Sequence, residues 1–220
     1  MNFKKIFQFL VDLKLNNNKT WFKENEESYK EVKIEFEQFV ETLIPEIRKF
    51  DNLIDVISAK ECMFRIYRDV RFSKNKEPYK TNFGAFIAKG GRKSQYAGYY
   101  VHIQPDESFI GGGIYMPPPD ILKLLRTGVY ENTAKFKKII NNSNFIKYFK
   151  EIYGDKLNSA PKGFPKDFPD IDLLKYKDYT VIYKTKNSFW SSKDLNNNLL
   201  NIFKEQYPFN RFLNDAIEGN

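Results

Sequence analysis

The chain has 220 residues, 41% hydrophobic and 17% aromatic, which supplies a packed core and excludes wholesale disorder. It has no run of 18 apolar residues and no small-residue cleavage site near its N-terminus, so neither a membrane-spanning helix nor a signal peptide is expected. The formal charge is +8, and +7 of it lies in residues 60–93, where ten cations face three anions. The single Cys62 cannot form an internal disulfide, which points to a reducing, cytoplasmic setting.

In chain order, Phe3, Ile6, Phe7, Leu10 and Leu13 follow helical spacing and predict a helix over residues 3–15. Asn18 is a good N-cap for a long helix from about Lys19 to Phe50, with Pro45 expected to end or kink it. Strand patterns follow at Glu61–Asp69, Phe83–Ala88, Tyr96–Gln104 and Ser108–Met116. The last two form a hairpin about the turn Pro105-Asp106-Glu107. Tyr99, Val101 and Ile103 share one face of their strand, and Tyr100, His102 and Gln104 share the other. Gly111-Gly112-Gly113 inside a strand predicts a bulge or a close backbone approach.

After Pro117-Pro118-Pro119, helices are expected at Asp120–Arg126, Asn132–Ile140 and Phe145–Tyr153. A Pro- and Phe-rich loop follows at Pro161–Pro169, then a helical turn capped by Asp170, a strand at Tyr179–Lys184, and helices at Ser191–Phe203 and Phe209–Ile217. Helices, then strands, then helices with one strand argue the α+β class: one domain over residues 1–220, with a mainly antiparallel central sheet.

The segment from Arg65 to Thr81 carries the chemical signal. Seven arginines occur in the chain, and three of them, Arg65, Arg68 and Arg71, fall within seven positions. Twenty-nine of the 36 cations are Lys, so clustered arginines suggest a need for the planar guanidinium fork, which binds carboxylate or phosphate bidentately. Asp69 sits where it can orient them, and the Asn75–Pro78 turn returns Lys76, Tyr79 and Lys80 toward them. Two readings stand side by side: an Arg–Asp network that pins a loop to the sheet, and an anion site of Arg65, Arg68, Asp69, Arg71, Lys76 and Tyr79. Interleaved rings at Tyr67, Phe72, Tyr79 and Phe83 also suit a nucleic-acid groove. High Lys and Asn content is equally what an AT-rich genome produces, so total charge argues little.

Arg65, Arg68, Asp69, Arg71, Phe72, Asn75, Lys76 and Tyr79 fill every fixed position of R-x-x-R-D-x-R-F-x-x-[DN]-K-x-x-Y, and the segment resembles that signature of the bacterial family called domain of unknown function 2461. Phe7-x-Phe9-Leu10, Asn17-Asn18-x-x-Trp21-Phe22 and Gly112-Gly113-x-Tyr115-Met116-Pro117 are similar to that family too. The resemblance implies a single soluble α+β domain and carries no activity with it.

Other chemistry is thinner. His102, the one histidine, is either a structural strand residue or a general base. Cys62 reads as a buried small residue rather than a nucleophile. Glu61, Asp69, Asp106 and Glu107 lack metal-ligand spacing, and neither a metal nor a cofactor is expected. Gly111–Gly113 is no P-loop, although its backbone and the helix start after Pro119 are candidates to face an anion, and Arg126 is a candidate to join the cluster. The leading expectation is an anion-binding protein for a phosphate- or carboxylate-bearing small molecule. The alternatives are a nucleic-acid binder using residues 60–93 and an enzyme on such a small molecule, with Asp69 or His102 as acid or base.

Overall fold

A computed structural model describes residues 2–219 of the chain. In sequence order its elements are α1 Phe3–Leu15, α2 Lys19–Glu24, α3 Glu26–Arg48, α4 Ala59–Cys62, β1 Phe83–Ile87, β2 Gly98–Ile103, β3 Phe109–Ile114, α5 Pro119–Glu131, α6 Thr133–Ile140, α7 Ser143–Phe149, α8 Ile171–Leu174, β4 Tyr179–Lys184 and α9 Leu195–Glu218. The strands form an antiparallel sheet in the order β1-β2-β3-β4. This is the α+β arrangement of N-terminal helices, central sheet and C-terminal helices expected from the element order.

Contacts divide the chain into two compact units. The first runs from the N-terminus to Arg92 and takes in Tyr100–Ile110 and Lys184–Leu200. Its core is the apolar stripe of α1 (Phe3, Ile6, Phe9, Leu10, Leu13) on that of α3 (Val32, Phe36, Phe39, Val40, Leu43, Ile47), closed by Phe83 and Trp190. The rings of Phe3 and Phe39 meet edge to face at 5.2 Å, and Phe36 lies 5.4 Å from Phe83. The second unit comprises Lys93–Tyr99, Gly111–Tyr183 and Asn201 to the C-terminus. Here Phe136 packs 4.9 Å from Phe212, Phe145 packs 5.8 Å from Phe209, and Tyr99 packs 5.0 Å from Phe203. One side of α9 in this unit is polar yet buried: Asn214 exchanges two hydrogen bonds with the Ala97 backbone, and Gln206 and Asn210 both donate to the Gly98 carbonyl.

Several boundaries differ from expectation, each for a local reason. The long helix expected from Lys19 breaks at Asn25, whose side-chain amide donates to the Trp21 carbonyl (2.9 Å) and competes with the helical ladder. Pro45 does not end α3, which continues to Arg48. The carbonyl that Pro45 leaves without its helical donor belongs to Glu41, and both residues are exposed, so that carbonyl is open to solvent rather than buried unpaired. By the same logic Pro208, exposed above Lys204, lies inside α9, and the two helices expected over 191–217 are one from Leu195. The strand expected over Glu61–Asp69 does not form. Glu61 Oε1 accepts from the backbone N–H groups of Ile57 (3.0 Å) and Ser58 (2.9 Å), a capping box that turns Ala59–Cys62 into helix. The close approach expected at the glycines is present: Gly113 has φ +91°, and a Cβ there would lie 2.1 Å from the Tyr179 carbonyl oxygen.

Candidate functional site

The arginine-bearing segment forms a narrow two-stranded ribbon in the first unit. Met63 bridges Ala85 and Tyr67 bridges Tyr79, both antiparallel. Between them Phe64 N–H donates to Gly84 O, Lys80 N–H to Ile66 O and Arg68 N–H to Pro78 O, at 2.7–2.9 Å. Ile66 and Tyr79 point into the core, whereas Phe64, Arg65 and Tyr67 are exposed.

The base of the ribbon is an aromatic stack. Tyr79 is buried and lies parallel to Phe22 at 3.9 Å, and Tyr67 approaches both rings. Asn17 fastens this base: its amide accepts from Tyr79 N–H (3.1 Å) and donates to Tyr79 O (3.0 Å). The Asn17-Asn18-x-x-Trp21-Phe22 motif thus has a local purpose, since Asn18 caps α2 and Phe22 supplies the stacking partner.

The tip, residues 69–77, is tied by short polar bonds. Asp69 accepts from Arg71 at both oxygens, from Nε at 2.9 Å and Nη2 at 2.7 Å. The Arg71 guanidinium holds the Asp69 carboxyl below its ordinary range. Asn75 accepts from Glu77 N–H, and Lys76 Nζ donates to Val70 O (3.1 Å) across the tip. Arg68, 27% exposed, reaches Glu77 at 3.4 Å. Phe72, at 95% exposure, packs on nothing that would fold the chain.

Arg65 and Lys80 stand apart from these pairs. Neither lies within 4 Å of a carboxylate among the described residues, and the Lys80 ammonium donates to the Arg65 carbonyl (3.0 Å). Burial, and next the charge of Arg65, push the Lys80 ammonium below its ordinary value. Of the six residues singled out in the sequence, Asp69 and Arg71 therefore pair with each other, Arg68 pairs with Glu77, Lys76 closes the tip, Tyr79 anchors the base and Arg65 keeps free donors. Lys80 belongs with Arg65, and the register shows it: pairing Tyr67 with Tyr79 places residues 65–66 opposite residues 80–81.

The remaining candidates have partners of their own. Gln104 donates to Glu107, so its Oε1 accepts from His102 Nε2–H (3.1 Å), which leaves Nδ1 to accept from the Tyr100 hydroxyl (3.0 Å). The Phe109 ring stacks on the imidazole at 4.5 Å, and burial lowers the His102 pKa from 6.5. Burial also pushes the Cys62 thiol up to about 12, so it stays protonated. Arg126 donates to Tyr176 O (2.9 Å). No group of three or more His, Cys, Asp or Glu that could hold a metal ion lies among the described residues, and no helix among them is long and apolar enough to cross a membrane.

A family model described as conserved hypothetical protein (DUF2461) matches residues 5–212. No curated protein and no solved structure matches the chain.

Proposed function

Because the chain belongs to the DUF2461 family, whose description names no activity, we propose its function from the ribbon itself: it is an anion-binding protein whose site is centred on Arg65 and Lys80 and takes the phosphate or carboxylate group of a ligand. The observation that carries this reading is a pair of neighbouring cations with no carboxylate within 4 Å of either among the described residues. Arg65 has five N–H donors, none engaged among the described residues, and Lys80 spends one of its three on a neutral carbonyl. Burial, and next the charge of Arg65, disfavour the Lys80 ammonium. An anion shared by the two relieves both penalties and forms charge-assisted hydrogen bonds, the stronger kind. Two nearby ion pairs occupy the other arginines of the segment, with Asp69 on Arg71 and Glu77 on Arg68.

We propose binding and no reaction. Both nitrogens of His102 are engaged, Cys62 is a buried thiol, and Asp69 is an exposed, ion-paired carboxylate. Titration with inorganic phosphate at constant ionic strength, followed by backbone-amide NMR, tests the reading. Saturable shifts at residues 64–66 and 79–81 are expected, absent from the Arg65→Ala/Lys80→Ala variant. Shifts that grow linearly without saturating, or that survive in the variant, overturn it.

A further inference from the structure

Three exposed rings of the ribbon each sit next to an arginine in the chain: Phe64–Arg65, Tyr67–Arg68 and Arg71–Phe72. Their exposures are 38%, 49% and 95%. Phe64 and Tyr67 are not loose. Phe64 meets Tyr100 edge to face at 6.2 Å, and Tyr67 leans on Phe22 and Tyr79. Phe64 and Tyr67 thus each have one side supported by the protein and another open to solvent, whereas Phe72 is exposed almost entirely. Cations already lie over two of them: Lys80 Nζ is 5.7 Å from the Phe64 ring, and the Arg71 guanidinium is 5.9 Å from Phe72.

A site for an isolated small anion needs none of these rings, and sites for small ligands are concave and bury most of the molecule. A ring exposed to 95% encloses nothing. An extended ribbon that interleaves exposed rings with cations fits instead a polymer that alternates flat, stackable bases with phosphates.

We propose that this ribbon is an interface for single-stranded nucleic acid, a proposal that rests on the anion-binding reading above and names its ligand. Arg65 and Lys80 take backbone phosphates, and Phe64, Tyr67 and Phe72 offer faces to successive bases. The contacts are to phosphates and base faces, so binding is tolerant of sequence and steeply dependent on salt.

The test is fluorescence anisotropy of the whole protein with a fluorescein-labelled 20-residue oligothymidylate at 50–300 mM salt, beside separate direct titrations of the protein with inorganic polyphosphate, which has charge but no bases, and with anionic lipid vesicles. Two phosphate contacts give a slope of log K against log salt of about −1.4, and Arg65→Ala makes it shallower by about 0.7. Phe72→Ala removes a ring that supports no other side chain, so the fold is kept; it is expected to weaken oligothymidylate binding about fivefold or more and to leave polyphosphate unaffected. Equal affinity of wild type and Phe72→Ala for oligothymidylate overturns the assignment to nucleic acid. So does binding of polyphosphate, or of anionic lipid vesicles, without binding of oligothymidylate; polyphosphate binding that Arg65→Ala/Lys80→Ala abolishes leaves the anion-binding reading standing. If neither polymer binds at 50 mM salt, both readings fall.

Discussion

At the scale of single residues, the ion pair most visible in the sequence has little bearing on stability. Asp69 and Arg71 form a bidentate pair, but Arg71 is 76% exposed, and exposed pairs are screened by water and salt. Asp69→Asn and Arg71→Ala are each expected to unfold in urea within experimental error of wild type; an early transition in either reveals a contact of Asp69 or Arg71 beyond this pair. His102 behaves differently. Its folded-state pKa lies below 6.5 because the imidazole is buried, so the unfolded chain takes up the proton first. Stability is therefore full above about pH 6.5 and declines as pH falls through the window between the unfolded and folded values. The urea midpoint measured from about pH 7 to about pH 5.5 should show this decline, and His102→Gln should flatten it. Neither effect was legible from residue types alone. The seven-position arginine cluster is plain in the sequence, but which carboxylate meets which guanidinium depends on how the tip folds, and Glu77, from the far side of the tip, takes Arg68.

At the scale of elements, periodicity was legible wherever one face of an element meets the core. The alternation Tyr99–Ile103 in β2 has the burial its spacing implies, and so does the stripe of α1 at Phe3, Ile6, Leu10 and Leu13, although Phe9 is buried where Phe7 was expected. The ribbon lacks such a pattern: composition at Glu61–Asp69 is compatible with a strand, but the capping box of Ser58 and Glu61 claims its first residues for a helical turn, and bridges at single residues hold the rest. What fixes the ribbon is Asn17, 62 positions away in sequence, a distance over which no local rule operates. Asn17→Ala removes two part-buried hydrogen bonds and is expected to cost about 1–3 kcal/mol in a urea melt. If the ribbon is the binding surface, the same substitution weakens binding although Asn17 touches no ligand, because the stack of Tyr79 on Phe22 loses its fastening.

At the scale of the whole molecule, charge is local. Residues 60–93 carry +7 and the other 186 residues +1, so nearly all of the net charge lies in one segment of the chain. Retention on a cation-exchange column then depends on where a cation is removed. Replacing Arg71, Lys74 and Lys76 by Ser is expected to lower the eluting salt concentration more than replacing the exposed Lys4, Lys33 and Lys204, although the net charge changes equally. Equal shifts show that total charge alone governs retention. The α+β class was legible at this scale because the order of elements dictates it. The joining of 191–217 into one helix was not, because the tolerance of Pro208 depends on its being exposed.

Asn17 and Asn214 share a device: each side-chain amide meets the N–H and the C=O of one residue, Tyr79 or Ala97, and stands in for a neighbouring strand. A strand's ladder opens as a unit, whereas a side chain opens by a single rotation. Deuterium uptake at these two amides therefore times the swing of one asparagine each: quick at Tyr79, where the clasp is part-buried, and slow at Ala97, where the clasp is sealed in the core and yields only when α9 itself lifts.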